Sequence, residues 1–218
     1  MNAENKGKVV VVGAGLMGTG IAHAFASSGF ETVLVDTNSD SLKRAYAGIE
    51  KILGDGVRLG KVEELVAQQS MARLSTNGDL RQAAAGAALL IETVSEQLAI
   101  KKAVVTEAAA MMPDDAIIAS NTSALSVTEI AAVVPCPERF IGMHFFNPVH
   151  KMKLVELVRG LATSDETVAR ARDLCAAINK TAIVVNESPG LTTSRMSALL
   201  GNEAMYMLQE GTASAEDI

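Results

Sequence analysis

The stretch from Lys8 to Asp36 constrains the fold more than any other. Val9 to Val12 is an unbroken β-branched run, the pattern of a strand buried on both faces of a parallel sheet. It leads into Gly13, Gly15 and Gly18, spaced G-x-G-x-x-G. Helical spacing follows from about Leu16 to Ser28, and Gly29 is placed to stop it. Thr32 to Val35 reads as a second buried strand ending at Asp36. Strand, glycines, helix, strand and terminal acid make one βαβ unit, with the acid about 20 residues beyond the glycines. Glycines at this spacing let backbone N–H groups approach a pyrophosphate at a helix N-terminus. Asp36 can accept hydrogen bonds from both hydroxyls of an adenosine ribose. It would repel a 2′-phosphate, and Thr37, not arginine, follows it. The segment therefore predicts NAD rather than NADP, with Gly13, Gly15, Leu16, Met17, Gly18 and Asp36 as the binding set.

The β/α alternation continues, so an α/β protein with a doubly wound, Rossmann-type parallel sheet is expected. Ser39 to roughly Leu53 has helical spacing with Ser39 as cap, Gly54, Gly56 and Gly60 interrupt it, and Lys61 to Gln69 is helical again. This predicts a helical hairpin inserted at about 39–70, before a third strand at Ala72 to Ser75. Lys51, Arg58 and Lys61 there read as ordinary solvated charge. Gly78 to Ala85 reads as helix, Ala88 to Val94 as strand, Glu96 to Met112 as a helix ended by Pro113, and Ala116 to Ala119 as strand. The last runs into Ser120-Asn121-Thr122-Ser123. Small polar residues at a strand's C-terminal end, and Glu96 after the preceding strand, stand where open α/β sheets bind ligands. Ser126 and Glu129 are spaced as a capping box for a helix to Val134.

Phe140 to Phe146 and Lys153 to Val158 are short apolar runs, broken by His144 in the first and Glu156 in the second. Asn147-Pro148 between them is a turn signal. Paired as a hairpin, the runs can set His144 opposite Glu156, with Cβ atoms within roughly 5.5 Å. A carboxylate could then hold one imidazole nitrogen and leave the other to take a proton. Taken alone, the pair reads more readily as a core histidine with an unrelated glutamate. Beyond it, Asp165 to Ile178 is helical and Lys180 to Val185 a strand. A turn cluster at Asn186 to Gly190 places a domain boundary between 1–187 and 188–218. Thr192 to Glu210 has the spacing of a long helix closed by Gly211, and Ser214 to Ile218 reads as the start of another. A sequence ending inside an element suggests a truncated second domain.

Composition removes several classes. A formal net charge of -6 argues against nucleic-acid or anionic-membrane partners. No apolar run reaches the roughly 18 residues of a spanning helix, and MNAENKGK lacks a signal-peptide core. Cys136 and Cys175 are the only cysteines, too few for a disulfide framework, so a reducing, cytoplasmic setting is expected. No metal-ligand cluster is read.

VVGAGLMGTGIA, ASNTSAL, HFFNPVHKMKLVEL and ESPGLTTSR occur in this order along the chain. In order and spacing they resemble the 3-hydroxyacyl-CoA dehydrogenase family, and within it the bacterial 3-hydroxybutyryl-CoA dehydrogenases, over nearly the whole chain. The resemblance implies further strands after the sixth, then an all-helical domain carrying a dimer contact, of which only the first helix is present. It implies reversible oxidation of an (S)-3-hydroxyacyl-CoA by NAD. His144 would be the general base and Glu156 its orienting carboxylate, while Ser123 would bond the substrate oxygen. Asn147 would stand at the nicotinamide side, Glu96 and Lys101 would contact the cofactor, and the hairpin would bind CoA, making Lys51 and Lys61 phosphate partners. One departure stands out. Family members commonly read PGFxxNR, whereas here Ser194 occupies the asparagine position, and a hydroxyl has a shorter reach than an amide. The resemblance thus implies catalytic Ser123, His144, Glu156 and Ser194. Two other readings stay open: an NAD-binding structural protein of the crystallin type, and a dehydrogenase of a non-CoA hydroxy acid.

Overall fold

The structure is a computed structural model describing residues 6–218. In chain order it contains β1 (Lys8–Val12), α1 (Leu16–Ser27), β2 (Glu31–Val35), α2 (Ser39–Arg58), α3 (Glu64–Arg73), β3 (Leu74–Asn77), α4 (Leu80–Ala84) and β4 (Leu89–Glu92). It continues with α5 (Leu98–Ala109), β5 (Ile117–Ser120), α6 (Val127–Ala131), β6 (Phe140–Phe145), β7 (Leu154–Arg159), α7 (Asp165–Ala177), β8 (Thr181–Asn186) and α8 (Thr193–Gln209). The strands form one eight-stranded sheet in the order β3-β2-β1-β4-β5-β6-β7-β8. The first six are mutually parallel, β7 returns antiparallel to β6, and β8 runs parallel to β7. This is the doubly wound order with the two added strands that the resemblance implied.

The β-branched run of β1 explains the two-faced burial. Val9 and Val11 enter one apolar cluster, with Ile21 and Phe25 of α1. Val10 and Val12 enter the other, with Val105 of α5. The chain order reverses between β1 and β4, and at such a switch point a crevice opens at the C-terminal strand ends.

Several element limits differ from expectation. α2 runs on through Gly54 and Gly56 to Arg58. Its buried Leu42, Ala45, Ile49 and Leu53 hold one face to the core, and that packing outweighs the low helix propensity of glycine. Gly56 also has a spatial reason: a Cβ there would lie 2.7 Å from the Val62 side chain, which folds back over it. The cap of α2 is Asn38, whose Oδ1 accepts from the N–H groups of Asp40 and Ser41, and not Ser39. β3 begins at Leu74, two residues later than expected, because α3 persists to Arg73. α5 begins only at Leu98, which leaves Glu96 in the preceding loop. Ser126 does accept from Glu129 N–H, but the Glu129 carboxylate pairs with Lys102. The expected tight connection between β6 and β7 is a longer loop containing a cis Asn147–Pro148 bond.

That loop lies on α1. A Cβ on Gly20 would sit 2.8 Å from Val149, so the glycine admits the close approach. Lys180 donates to the carbonyls of Val149 and Met152 from below. Beside this contact the rings of His23 and His150 stand edge to face, centroids 6.3 Å apart. Burial, with His150 and then Lys180 nearby, pushes the His23 imidazole down to about 4. A base with a depressed folded pKa binds its proton more readily in the unfolded chain. The stability His23 leaves intact above about 6.5 is therefore lost as the pH falls toward about 4. We expect the urea midpoint to fall across that window by on the order of 1–3 kcal/mol in stability. His23→Gln should flatten that part of the profile, and an unchanged slope in the variant would contradict the assignment.

Candidate active site

At Gly13 and Gly18 the glycine cradle is set by contacts that leave no room for side chains. Gly13 has φ +105°, and a Cβ on Gly18 would fall 1.8 Å from the Gly13 carbonyl oxygen. Thr93, just past β4, donates its hydroxyl to the carbonyls of Val12 and Gly13. Asp36 closes the turn from the other side: Oδ2 accepts from Ala14 N–H at 2.8 Å and Oδ1 from Asn38 N–H. A Cβ on Gly15, at the N-cap of α1, would meet nothing within 4 Å. The first N–H groups of a helix have no intrahelical acceptor, so an anionic diphosphate fits over Gly15 and Leu16. Above the cradle is a cavity of about 1220 Å³ lined by Gly13 to Leu16, Asp36, Thr37, Val94 and Asn147 among others. The residues present therefore fit a dinucleotide with its ribose at Asp36.

A second cavity of about 650 Å³ shares Thr93, Val94 and Asn147 with the first. It is lined by Met17, Ser123, His144 and Ser194. His144 and Glu156 are directly opposed across the β6–β7 ladder. Nδ1 of His144 lies 2.8 Å from Glu156 Oε2, and Phe146 packs edge-on to the imidazole, centroids 4.6 Å apart. Glu156 has no solvent exposure. Its remaining acceptor sites are filled from the start of α8: Oε1 accepts from Thr192 N–H and Thr193 N–H, and Oε2 from the Thr193 hydroxyl.

The serine loop is held by a second buried carboxylate. Glu92 ends β4 fully buried. Its Oε2 accepts from the Ser120 hydroxyl at 2.6 Å, and Oε1 from Val94 N–H and Lys101 Nζ. Lys101 also reaches Glu96 Oε2 at 3.0 Å and the Val94 carbonyl. Glu96 in turn accepts from the Thr122 hydroxyl and the N–H groups of Ser123 and Ala124. Burial by itself would raise the Glu96 carboxyl, but the hydrogen bonds from Thr122 and Lys101, with the Lys101 charge, hold it below its ordinary value. Asn121 ties this loop to the histidine strand, its Oδ1 accepting from Phe145 N–H at 2.8 Å.

The structure thus gathers Met17, Glu96, Lys101, Ser123, His144, Asn147 and Ser194 around one cavity, with Glu156 directly behind His144. Three of the expected contact residues have surroundings that the motifs did not indicate. Lys101 is 1% exposed and its ammonium is committed to Glu92, Glu96 and a carbonyl, so it acts first as an internal tether for the serine loop. Lys51 and Lys61 are exposed and line neither cavity; Ser41 and Arg44 of α2 line the larger one instead. The two lysines were expected as phosphate partners only because the hairpin resembles the region that binds CoA. Sequence reasoning also missed Glu92, Asn121 and Thr193. Asn121 and Thr193 sit inside motifs that had been singled out, whereas Glu92 carried no signal beyond an acid ending an apolar strand.

Strand order and glycine cradle define a Rossmann-type dinucleotide-binding protein. Residues 8–188 match the model of the "3-hydroxyacyl-CoA dehydrogenase, NAD binding domain", and the chain belongs to that family. It is 40% identical over 211 residues to a probable 3-hydroxybutyryl-CoA dehydrogenase of Bacillus subtilis, covering 97% of this chain and 73% of that one. A 3-hydroxybutyryl-CoA dehydrogenase of Bradyrhizobium diazoefficiens is also 40% identical, with 97% and 72% covered. The crystal structure of (S)-3-hydroxybutyryl-CoA dehydrogenase PaaH1 from Ralstonia eutropha superposes with TM-score 0.93 at 38% identity, covering 97% of this chain and 74% of that one.

The tether makes a direct prediction. Lys101→Met leaves Glu92 buried beside an uncharged side chain, which should cost about 3–5 kcal/mol of stability. Adding Glu92→Gln removes the orphaned charge and should recover part of that loss. Chemical denaturation of the single and double variants measures both, and a double variant no more stable than Lys101→Met would show that the pairing is not the source.

Proposed function

We propose that the protein interconverts a short-chain (S)-3-hydroxyacyl-CoA, 3-hydroxybutyryl-CoA in the first instance, and its 3-ketoacyl-CoA, with NAD as the redox partner. The observation that carries this reading is the 2.8 Å contact of His144 Nδ1 with buried Glu156, in a cavity that opens onto the dinucleotide site through Thr93, Val94 and Asn147. The family membership and the names of the relatives support the substrate class.

The proton chemistry follows from the pair. An ionised Glu156 can only accept, so the His144 proton sits on Nδ1 and the basic lone pair on Nε2. In the oxidative direction Nε2 takes the proton of the substrate's 3-hydroxyl as a general base. The imidazolium so formed is stabilised by the carboxylate behind it. In the reductive direction the same imidazolium returns the proton. When bound, NAD supplies the two-electron redox chemistry at C3. Ser123, held by Glu96 through its own N–H, donates its hydroxyl to the substrate oxygen as charge develops there. Ser194 lines the same wall and offers a second, shorter donor in place of the asparagine amide. Glu96 and Asn147 flank the nicotinamide side.

Residues 188–218 form, in this reading, the opening of a helical unit that closes over the acyl-CoA and carries a homodimer contact. In support, α8 buries none of its residues, and Leu199, Leu200 and Met205 are exposed. Among the described residues no helix is long and apolar enough to cross a membrane.

The test is loss of NADH absorbance on addition of acetoacetyl-CoA. His144→Ala should lower kcat by about 10²–10⁴-fold, the range for removal of a general acid–base. Asp36→Ala should chiefly weaken NADH binding. Near-normal turnover by His144→Ala would remove the histidine from the mechanism, and no turnover by the NADH-bound parent would remove the substrate assignment.

A further inference from the structure

The seat of α8 and the orientation of the histidine are the same set of hydrogen bonds. Glu156 receives four: from His144 Nδ1, Thr192 N–H, Thr193 N–H and the Thr193 hydroxyl. All but the first come from the start of α8. The two backbone donors hold Oε1. The hydroxyl at 3.2 Å shares Oε2 with His144, so it acts on the oxygen that aims the imidazole.

The chain is bent to deliver these donors. Gly190 has φ +76° and Leu191 φ +50°. A left-handed leucine is strained and persists only where its surroundings over-determine it. The reversal carries the chain from the end of β8 directly over Glu156. Beyond its first turn α8 has little hold on the sheet, since it buries no residue. Glu156 is thus the anchor of α8 as much as α8 is the clamp on Glu156.

We infer that Thr193 is a positioning residue for His144, and that its hydroxyl makes the histidine–glutamate pair competent only while α8 is seated. Displacing α8 takes away three donors together and leaves a buried carboxylate with His144 alone. A carboxylate so exposed to desolvation is freed to turn about its side-chain torsions, and Nε2 loses its fixed direction. The inference rests on the proposed general-base role of His144, but its geometry can be tested without turnover.

Thr193→Val is near-isosteric and keeps the backbone N–H, so it removes only the hydroxyl. It should lower kcat about tenfold, as expected for loss of one hydrogen bond to a charged group, with NADH affinity within about twofold of the parent. Thr193→Ser, which restores the donor, should return kcat to near the parent value. The His144 Nδ1 proton, followed by NMR, should shift in Thr193→Val and return in Thr193→Ser. Parent-like kcat together with a parent-like Nδ1 resonance in Thr193→Val would overturn the inference. So would a Thr193→Ser variant as impaired as Thr193→Val, since packing rather than the hydroxyl would then be responsible. If the parent protein shows no turnover of acetoacetyl-CoA, the substrate reading fails, and the Nδ1 resonance alone still decides the role of Thr193.

Discussion

A carboxylate taken out of water must be fully hydrogen-bonded or paired, because an uncompensated buried charge costs several kcal/mol. Among the described residues two glutamates have no solvent exposure, Glu92 and Glu156, and the site is arranged by what they require. Glu92 draws in Ser120 from β5, the Val94 N–H and Lys101 from α5. Glu156 draws in His144 from β6 and the first turn of α8. Each thereby joins elements that the sheet alone would leave loosely related. Their stabilising effect is small beside this, since well-packed apolar residues in their place would cost less desolvation. What they supply is geometry.

The two carboxylates are linked through the residues between them. Glu92 holds Lys101, Lys101 holds Glu96, and Glu96 holds the N–H of Ser123. From the same loop Asn121 accepts from Phe145 N–H, one residue beyond His144. Ser123 and His144 are thus fixed relative to each other by hydrogen bonds joined through short stretches of backbone. That precision suits the proposed reaction, in which the same substrate oxygen would meet both groups.

Most of the scaffold was legible because its signals are local. A β-branched run reads as a buried strand wherever it lies, and the glycine spacing is forced by contacts such as Gly18 against the Gly13 carbonyl. The opposition of His144 and Glu156 was also legible, since a ladder's period of two places side chains by counting. Tertiary packing hid the rest. α2 continues through Gly54 and Gly56 because its apolar face and Val62 reward it, which no local propensity announces. Lys101 was expected as a cofactor contact through the family resemblance alone. Only the arrangement of Glu92 and Glu96 around it shows that the charge is already committed. Glu92 itself was invisible, because a strand-end acid acquires meaning only from partners distant in sequence.

Thr193 lies in this second category, and it bears on the one departure from the family pattern. With serine at 194, the wall facing His144 carries hydroxyls where an amide is common. The adjacent Thr193 lines the same cavity and gives its hydroxyl to Glu156. An amide at 194 can bond the reacting oxygen directly, so slack in the histidine's position matters less. Under the proposed mechanism the shorter serine donor leaves more of the positioning to Nε2 of His144, on whose partner Glu156 the Thr193 hydroxyl is a third donor from α8. Ser194 on the cavity wall and the Thr193 hydroxyl on Glu156 thus stand on the two sides of the same histidine, one toward the cavity and one toward the carboxylate behind it.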